Sequence, residues 1–462
     1  MPNFAGELPE NYYFSGGVGT FVTPLSVAVL LAAIILIVCL PRKYVIVPFL
    51  LAGLLVPIYE NFLVAGLNFH FDRILLIVTW ARILVRREPA SGPLSPLDKV
   101  VLLGALVNSI AYCIVWPQLG AMSNRAGFLL SGLGTYFLMR SLIRDKEDVI
   151  RVIKVLAIVV IVCAPLMWSE HFSQHNVFAS VGAPDLSEIR NDRIRAQGPF
   201  AHPIIAGTFA VVIIPLFVGL WWYSPSNKLI AAAGVASSTA MMFASASSTP
   251  VMAFPAGILA LSMWPMRKKM RRLRWGIVLG LIGLQLVMKR PVWFLIARVS
   301  GVLGGSGYHR AELIDNFVSH FFGWWLIGTK DNVNWGWDMW DVDNAYVGAG
   351  LTGGLLGFIL FLAVFVYCYK MIGAGIRAAG QSRRDELFIW AIGAAFFANT
   401  VAFFGIVYFD QSRMAWNALL AMISVTGSFV AEPKFAYVEG KVFMSRLAAY
   451  RPVWFSNSRR TS

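Results

Sequence analysis

The run WDVDNAYVGAGLTGGLLGF, residues 340 to 358, sets Asp341, Asp343 and Asn344 directly before a glycine-punctuated apolar stretch. Oxygen-bearing side chains at such a position have two uses that need no further context. Asp343 or Asn344 can cap a helix by accepting from a first-turn amide. Asp341 and Asp343, with Asp338 nearby, can offer oxygens to a hard cation such as magnesium. A second set of polar residues is basic: Arg193 and Arg195 in RIRAQGPFAHP, Arg298, and Arg310 in GYHR, beside Tyr308 and His309. A planar guanidinium fork suits phosphate, although a single arginine can equally be solvated or bound to a lipid headgroup. His202, His309 and His320 lack the spacing of a metal-ligand set.

The elements that must position these groups lie in a membrane. The 462 residues are 58% hydrophobic and 14% charged, with a mean hydropathy of +0.66, more apolar surface than a soluble domain buries. Runs of roughly 17 to 25 apolar residues recur along nearly the whole chain, which implies helices and excludes a barrel. They predict an all-α polytopic membrane protein with about 12–13 transmembrane helices. The expected spans are 21–40, 44–66, 68–85, 99–117, 126–143, 152–168, 203–222, 228–246, 249–265, 275–290, 345–369, 387–408 and 415–431. One membrane domain, residues 1–462, accounts for them all, with a basic cytoplasmic tail over 432–462.

Lysine and arginine set the orientation. The first 20 residues contain neither, Arg42 and Lys43 follow the first span at once, and later basic runs such as RKKMRRLR at 267–274 fall on the same side. The amino terminus is therefore expected outside the cytoplasm and the carboxy terminus inside. A net charge of +15 then reflects topology and anionic lipid, and nucleic-acid binding is excluded because the basic runs lack stacking aromatics. Cys39, Cys113, Cys163 and Cys368 sit within or at the ends of apolar runs and read as small core hydrophobes.

Two loops on the outer side are long, 169–202 and 291–344, and long loops in compact proteins tend to be functional. The second contains an amphipathic helix. From Arg310, Leu313 and Ile314, Phe317 and Val318, Phe321 and Phe322, and Trp325 and Leu326 repeat every three to four residues. It is expected to lie along the membrane surface with Trp324 and Trp325 in the headgroup layer. Chemistry at these loops would meet a lipid headgroup.

Four segments, in order, resemble the bacterial O-antigen ligase and O-antigen or exopolysaccharide polymerase family. RAQGPFAHPIIAG is similar to that family's Arg-x-x-Gly-x-Phe-x-x-Pro segment. SSTPVMAFPAGILAL resembles its Ser-Arg helix start, YHRAELIDNFVSHFFGWWLIGT its Arg-initiated outer helix, and DNAYVGAGLTGGLLG its His-Asn-x9-Gly-x-x-Gly signature. Two positions depart from the pattern: Ser248 and Thr249 stand where the family carries Ser-Arg, and Asp343 stands where ligases favour His.

The resemblance implies a metal-independent membrane glycosyltransferase without a cofactor. It would move glycan from a polyprenyl (undecaprenyl) pyrophosphate donor to a sugar hydroxyl at the periplasmic face of the inner membrane. Such a transfer needs a base for the hydroxyl proton and cations for the departing pyrophosphate. The implied base is Asp343, with His309 in reserve. Arg195 and Arg310 are the implied pyrophosphate ligands, with Arg193 and Arg298 behind them and Asn344 and Tyr308 on the substrate. Asp343 favours a polymerase of lipid-linked repeat units. A ligase joining finished glycan to a lipid core is the close alternative, and a lipid-linked glycan transporter the more distant one, for which only Glu60, Arg82 and Arg140 look membrane-embedded. Expected partners are the lipid-linked glycan, membrane lipid, and chain-length or export proteins.

Overall fold

The computed structural model describes residues 20–64, 67–88, 93–190, 192–302, 307–380 and 382–429. The expected neutral amino-terminal segment and basic tail fall outside these residues.

Capping residues start the helices where apolar runs meet polar punctuation. Thr23 accepts from the Ser26 amide and opens α1 (Pro24–Cys39). After Pro41 comes α2 (Arg42–Leu55), then an antiparallel hairpin of β1 (Asn61–Val64) and β2 (Leu67–His70), with Asn61 opposite His70. The hairpin leads into α3 (Phe71–Val85). A capping box, Ser95 with Asp98, begins α4 (Pro96–Val115), followed by α5 (Leu119–Leu142) and the 28-residue α6 (Lys146–Ser173). A second small hairpin, β3 (Glu188–Arg190) with β4 (Arg193–Arg195), pairs Glu188 with Arg195.

The expected span at 203–222 is interrupted at Ile213, before Pro215, into α7 (Pro203–Val212) and α8 (Ile214–Tyr223). Proline cannot donate to the preceding turn. Then come α9 (Lys228–Ala244), α10 (Ser248–Ser262) and α11 (Met270–Val287). The long second loop folds into α12 (Leu295–Val302), α13 (Gly307–Ser319) and the single turn α14 (Phe321–Trp324). Three helices close the described chain: α15 (Ala345–Ala379), α16 (Arg383–Ala402) and α17 (Ser412–Ser424).

Every expected span holds a helix. By length and apolarity, α4, α6, α7 with α8, α15 and α16 can each cross a membrane, and α10 with α11 makes a sixth if the pair, bent by 75°, is one span. The protein is an all-α, multi-pass membrane protein. Its main core joins α1–α3, α5–α10 and α15–α17. Within α15, Gly354 has φ +62° and ψ −165°, a backbone that favours glycine, and kinks the helix. Gly353 and Gly357 face Asn108 of α4, where the absence of a side chain allows close packing.

The three embedded ionic groups are all spoken for. Glu60 accepts from the amide and hydroxyl of Thr23 at 3.0 and 2.8 Å, Arg82 pairs with Glu88 at 2.7 Å, and Arg140 with Asp98 at 3.0 Å. They tie helix ends together. The four cysteines are free.

The amphipathic helix of the second loop is present, but its apolar face is turned to protein. Leu313 and Phe317 of α13 and Trp324 of α14 pack on Val347 and Leu351 of α15, and the Phe317 and Trp324 rings stack at 3.9 Å. Trp324 is therefore buried rather than laid in a headgroup layer, whereas Phe322, Trp325, Trp337 and Trp340 remain exposed. A buried aromatic pair gains more from packing than an interfacial position offers.

Candidate functional site

Two arginines distant in sequence end on consecutive residues at the start of α10. Arg195, the last residue of β4, donates from Nη2 to Ser247 Oγ at 2.8 Å and from Nη1 to Glu188 Oε1 at 2.7 Å. Arg310, in the first turn of α13, donates from Nη2 to Thr249 Oγ1 at 2.8 Å and lies 3.4 Å from Ser248 Oγ. Its Nε donates to Asp343 Oδ2 at 3.1 Å. Ser247, Ser248 and Thr249 thus bridge Arg195 to Arg310, and Arg310 joins them to Asp343.

The segment between Arg195 and Pro203 is held from several sides. The Glu170 carboxylate of α6 accepts from the amides of Gln197 and Gly198 at 2.9 and 2.8 Å. From the loop between α16 and α17, Asp410 accepts from the Ala201 amide at 3.1 Å and Gln411 donates to Pro199 O at 2.5 Å. Phe200 is fully buried. Such a segment holds Arg195 still, which is what a binding group requires.

The same α16–α17 loop organises the Arg310 side. Phe403 O accepts from the Ala345 amide at 2.9 Å, Phe404 O lies 3.4 Å from Asn344 Nδ2, and Gly405 O accepts from Thr249 Oγ1 at 3.0 Å. Gly405 is needed for close approach: a Cβ there would sit 2.8 Å from Arg310 Nε and 2.9 Å from both its Cζ and Thr249 Oγ1.

The capping alternatives for Asp343 and Asn344 separate cleanly. Asn344 Oδ1 accepts from the amides of Tyr346 and Val347 at 3.0 and 3.2 Å, so Asn344 caps α15. Asp343 does not. Its Oδ2 is on Arg310, and its Oδ1 is buried without a partner among the described residues. Arg195 Nε is buried and unpartnered in the same way. The site therefore holds an unused donor at Arg195 and an unused acceptor at Asp343, and on the Arg195–Pro203 side Gln197 Nε2 and Gln411 Oε1 are also buried without a partner among the described residues.

The donors of Arg310 point at protein groups and its side chain is fully enclosed, so it braces Asp343 and supplies charge rather than offering an open fork. Burial lowers the Arg195 guanidinium from its usual value and Glu188 works against this; an arginine stays charged regardless. His202 caps α7 through Nδ1, which accepts from the Ile204 amide at 3.1 Å, and presents Nε2 to Glu188 Oε2 at 3.3 Å.

The other candidates lie outside this group. His309 is 3.2 Å from Asp341 O. Tyr308 is exposed, its ring 6.1 Å from that of Phe294. Arg193 and Arg298 are exposed on β4 and α12. Asp341 is open to the surface; loss of water on its protein side, and then the Asp343 charge, push its carboxyl up, while His309 opposes this. Among the described residues, no group of three or more His, Cys, Asp and Glu side chains is arranged to hold a metal ion.

Sequence reasoning assigned no role to Glu188, Glu170, Gly405, Asp410 or Gln411. Glu188 is placed opposite Arg195 by a hairpin too short to leave a pattern in the sequence. No known family model matches the chain, and no curated protein matches it.

Proposed function

We propose that this protein is a membrane glycosyltransferase that polymerises lipid-linked glycan repeat units, using a polyprenyl pyrophosphate donor at the periplasmic face of a bacterial inner membrane. The observation that carries the reading is the pair of unused groups: a buried arginine donor, Arg195 Nε, and a buried carboxylate acceptor, Asp343 Oδ1, in one connected network. A transfer from pyrophosphate to a hydroxyl needs one of each.

In this reading Asp343 Oδ1 takes the proton of the attacking sugar hydroxyl. Arg195 meets the departing pyrophosphate, and Arg193 adds charge from the other end of β4. Arg310 holds Asp343 in place, and its enclosure raises the value of that contact. His309 stands one residue from Arg310 as a reserve base, and Arg298 and Tyr308 lie on the same second loop as substrate contacts. The motif resemblance supports this assignment at one of its departures: where the family carries an arginine at the helix start, Ser248 and Thr249 instead receive the guanidinium of Arg310. The exposed Trp325, Trp337 and Trp340 suit a headgroup layer near the lipid donor. The amino terminus is then periplasmic and the carboxy terminus cytoplasmic.

The test is glycan extension by the purified full-length protein in detergent, supplied with polyprenyl-pyrophosphate-linked repeat units and no other enzyme. Products of increasing length that persist in EDTA are expected. Product only when a lipid-core acceptor is added would make it a ligase. Movement of the lipid across vesicles with no new glycosidic bond would overturn the reading in favour of transport.

A further inference from the structure

One carboxylate stands between Arg195 and the surface. The Arg195 side chain is 4% exposed, and its Nη1 is held by Glu188 Oε1 at 2.7 Å. The other oxygen of the same carboxylate, Oε2, lies 3.3 Å from His202 Nε2. Glu188 thus spans an arginine and a histidine with its two oxygens, as two oxygens of a phosphate would. Both Glu188 and His202 reach the surface at this point, with side chains 41% and 40% exposed. An anion that comes to Arg195 Nη1 takes the place of this carboxylate.

The hydrogen bonds around this carboxylate decide which atoms are donors. His202 Nδ1 accepts from the Ile204 amide at 3.1 Å, so the neutral ring carries its proton on Nε2, and the nitrogen that faces Glu188 is a donor. On Arg195, Nη2 is spent on Ser247 Oγ at 2.8 Å, whereas Nε is buried without a partner among the described residues. Glu188 therefore does not use the donors of Arg195 to the full. Charge points the same way. Residues 188 to 195 hold three arginines, Arg190, Arg193 and Arg195, against two carboxylates, Glu188 and Asp192. Arg190 and Arg193 face each other across the hairpin and are exposed. With Glu188 turned away, the hairpin is left strongly basic beside two donors. A pyrophosphate, with more oxygens and more charge than one carboxylate, makes better use of them.

We propose that Glu188 is a placeholder for the pyrophosphate of the donor, and that His202 is a further pyrophosphate-binding residue. Entry of the donor displaces the carboxylate towards solvent, and Arg195 Nη1 and His202 Nε2 then donate to pyrophosphate oxygens. Glu188 suits the exchange because it lies on an exposed three-residue strand, and a half-exposed carboxylate returns to water at little cost. Without donor it keeps the buried guanidinium paired, and a buried charge left unpaired is expensive. This assignment rests on the pyrophosphate donor of the proposed function.

The experiment is a titration of the full-length protein in detergent with inorganic pyrophosphate, followed by calorimetry, with glycan extension measured on the same preparations. Glu188→Gln keeps the size of the side chain and removes its charge. Glu188→Asp keeps the charge but is one methylene shorter, so it no longer spans Arg195 and His202. Both should bind pyrophosphate about tenfold or more tightly than the unmodified protein, the scale of one charge-assisted contact. Adding His202→Asn to Glu188→Gln retains a cap for α7 and removes the Nε2 donor, and should weaken pyrophosphate again by about the same factor. Tightening in Glu188→Gln alone would be the effect of one nearby negative charge and overturns the placeholder role, as does unchanged affinity in both variants. Equal affinity with and without His202→Asn removes His202 from the site. If Glu188→Gln does not fold, Glu188→Asp decides alone, because it leaves a counter-charge beside Arg195. The expected affinities without glycan extension by any preparation would keep the anion seat and end the glycosyltransferase reading, whereas unchanged affinities with extension intact would do the reverse.

Discussion

Arg310 and Asp343 form an ion pair, Nε to Oδ2 at 3.1 Å, in which the arginine side chain is fully buried and the aspartate side chain is 19% exposed. Breaking such a pair costs more than the pair contributes, because one charge is left behind without compensation. Arg310→Met is expected to destabilise the protein by about 3 kcal/mol, the lower end of the usual range since Asp343 keeps some contact with the surface. Adding Asp343→Leu should restore most of that loss. Unfolding in detergent measures both, and equal destabilisation in the single and double variants would show that the two side chains are not coupled.

Asp343→Asn separates chemistry from capping, because Asn344 carries the cap of α15. Asparagine retains an acceptor for Arg310 but not the charge, so some loss of stability accompanies the change and rates are compared per folded molecule. If Asp343 is the base, the rate falls by about a hundredfold or more, and Asp343→His recovers part of it. Asn344→Ala, in contrast, should cost about 1 kcal/mol of stability through the cap. An Asp343→Asn variant that extends glycan at the original rate would end the claim that this carboxylate is the base.

The residue types of the site were legible in the sequence, and their partners were not. Asp343 stood out because a carboxylate at the mouth of an apolar run needs a reason, and Arg195 and Arg310 because the segments that carry them resemble the polymerase and ligase family. That Arg310 would be enclosed by Ser248, Thr249 and Gly405 depends on contacts between α10, α13 and the α16–α17 loop, which no local pattern encodes. The helices followed from apolar runs, whereas both hairpins went unseen: strands of three or four residues paired mainly through backbone leave little side-chain periodicity. The amphipathic repeat of α13 was visible, but periodicity identifies an apolar face without saying whether protein or lipid covers it.

Gly405→Ala tests the wall behind Arg310. The added methyl would meet Arg310 Nε, Arg310 Cζ and Thr249 Oγ1, all at 2.8 to 2.9 Å, so the guanidinium has to move. Its contact with Asp343 then lengthens. Glycan extension should fall at least tenfold with only a modest change in melting temperature, since a misplacement of about 1 Å costs up to a hundredfold in rate. Unchanged extension by a well-expressed Gly405→Ala protein would mean that the Arg310 position does not matter to turnover.

His202 gives a dependence on pH whose sign can be worked out. Its Nδ1 accepts from the Ile204 amide, so the folded state requires that nitrogen free of a proton. Burial first, and then the charges of Arg195 and Arg190, hold the imidazole below its ordinary value, with Glu188 opposing them. The unfolded chain consequently takes up the proton before the folded one does. Stability from this group is fully present above the ordinary imidazole value of about 6.5 and is lost as pH falls from there through the lowered folded value. His202→Asn removes the titration and keeps a side chain that caps well. Melting temperatures followed from about pH 7.5 to about pH 5, across that ordinary value, should therefore fall less steeply for His202→Asn than for the unmodified protein, and parallel curves would remove His202 as the source of acid sensitivity.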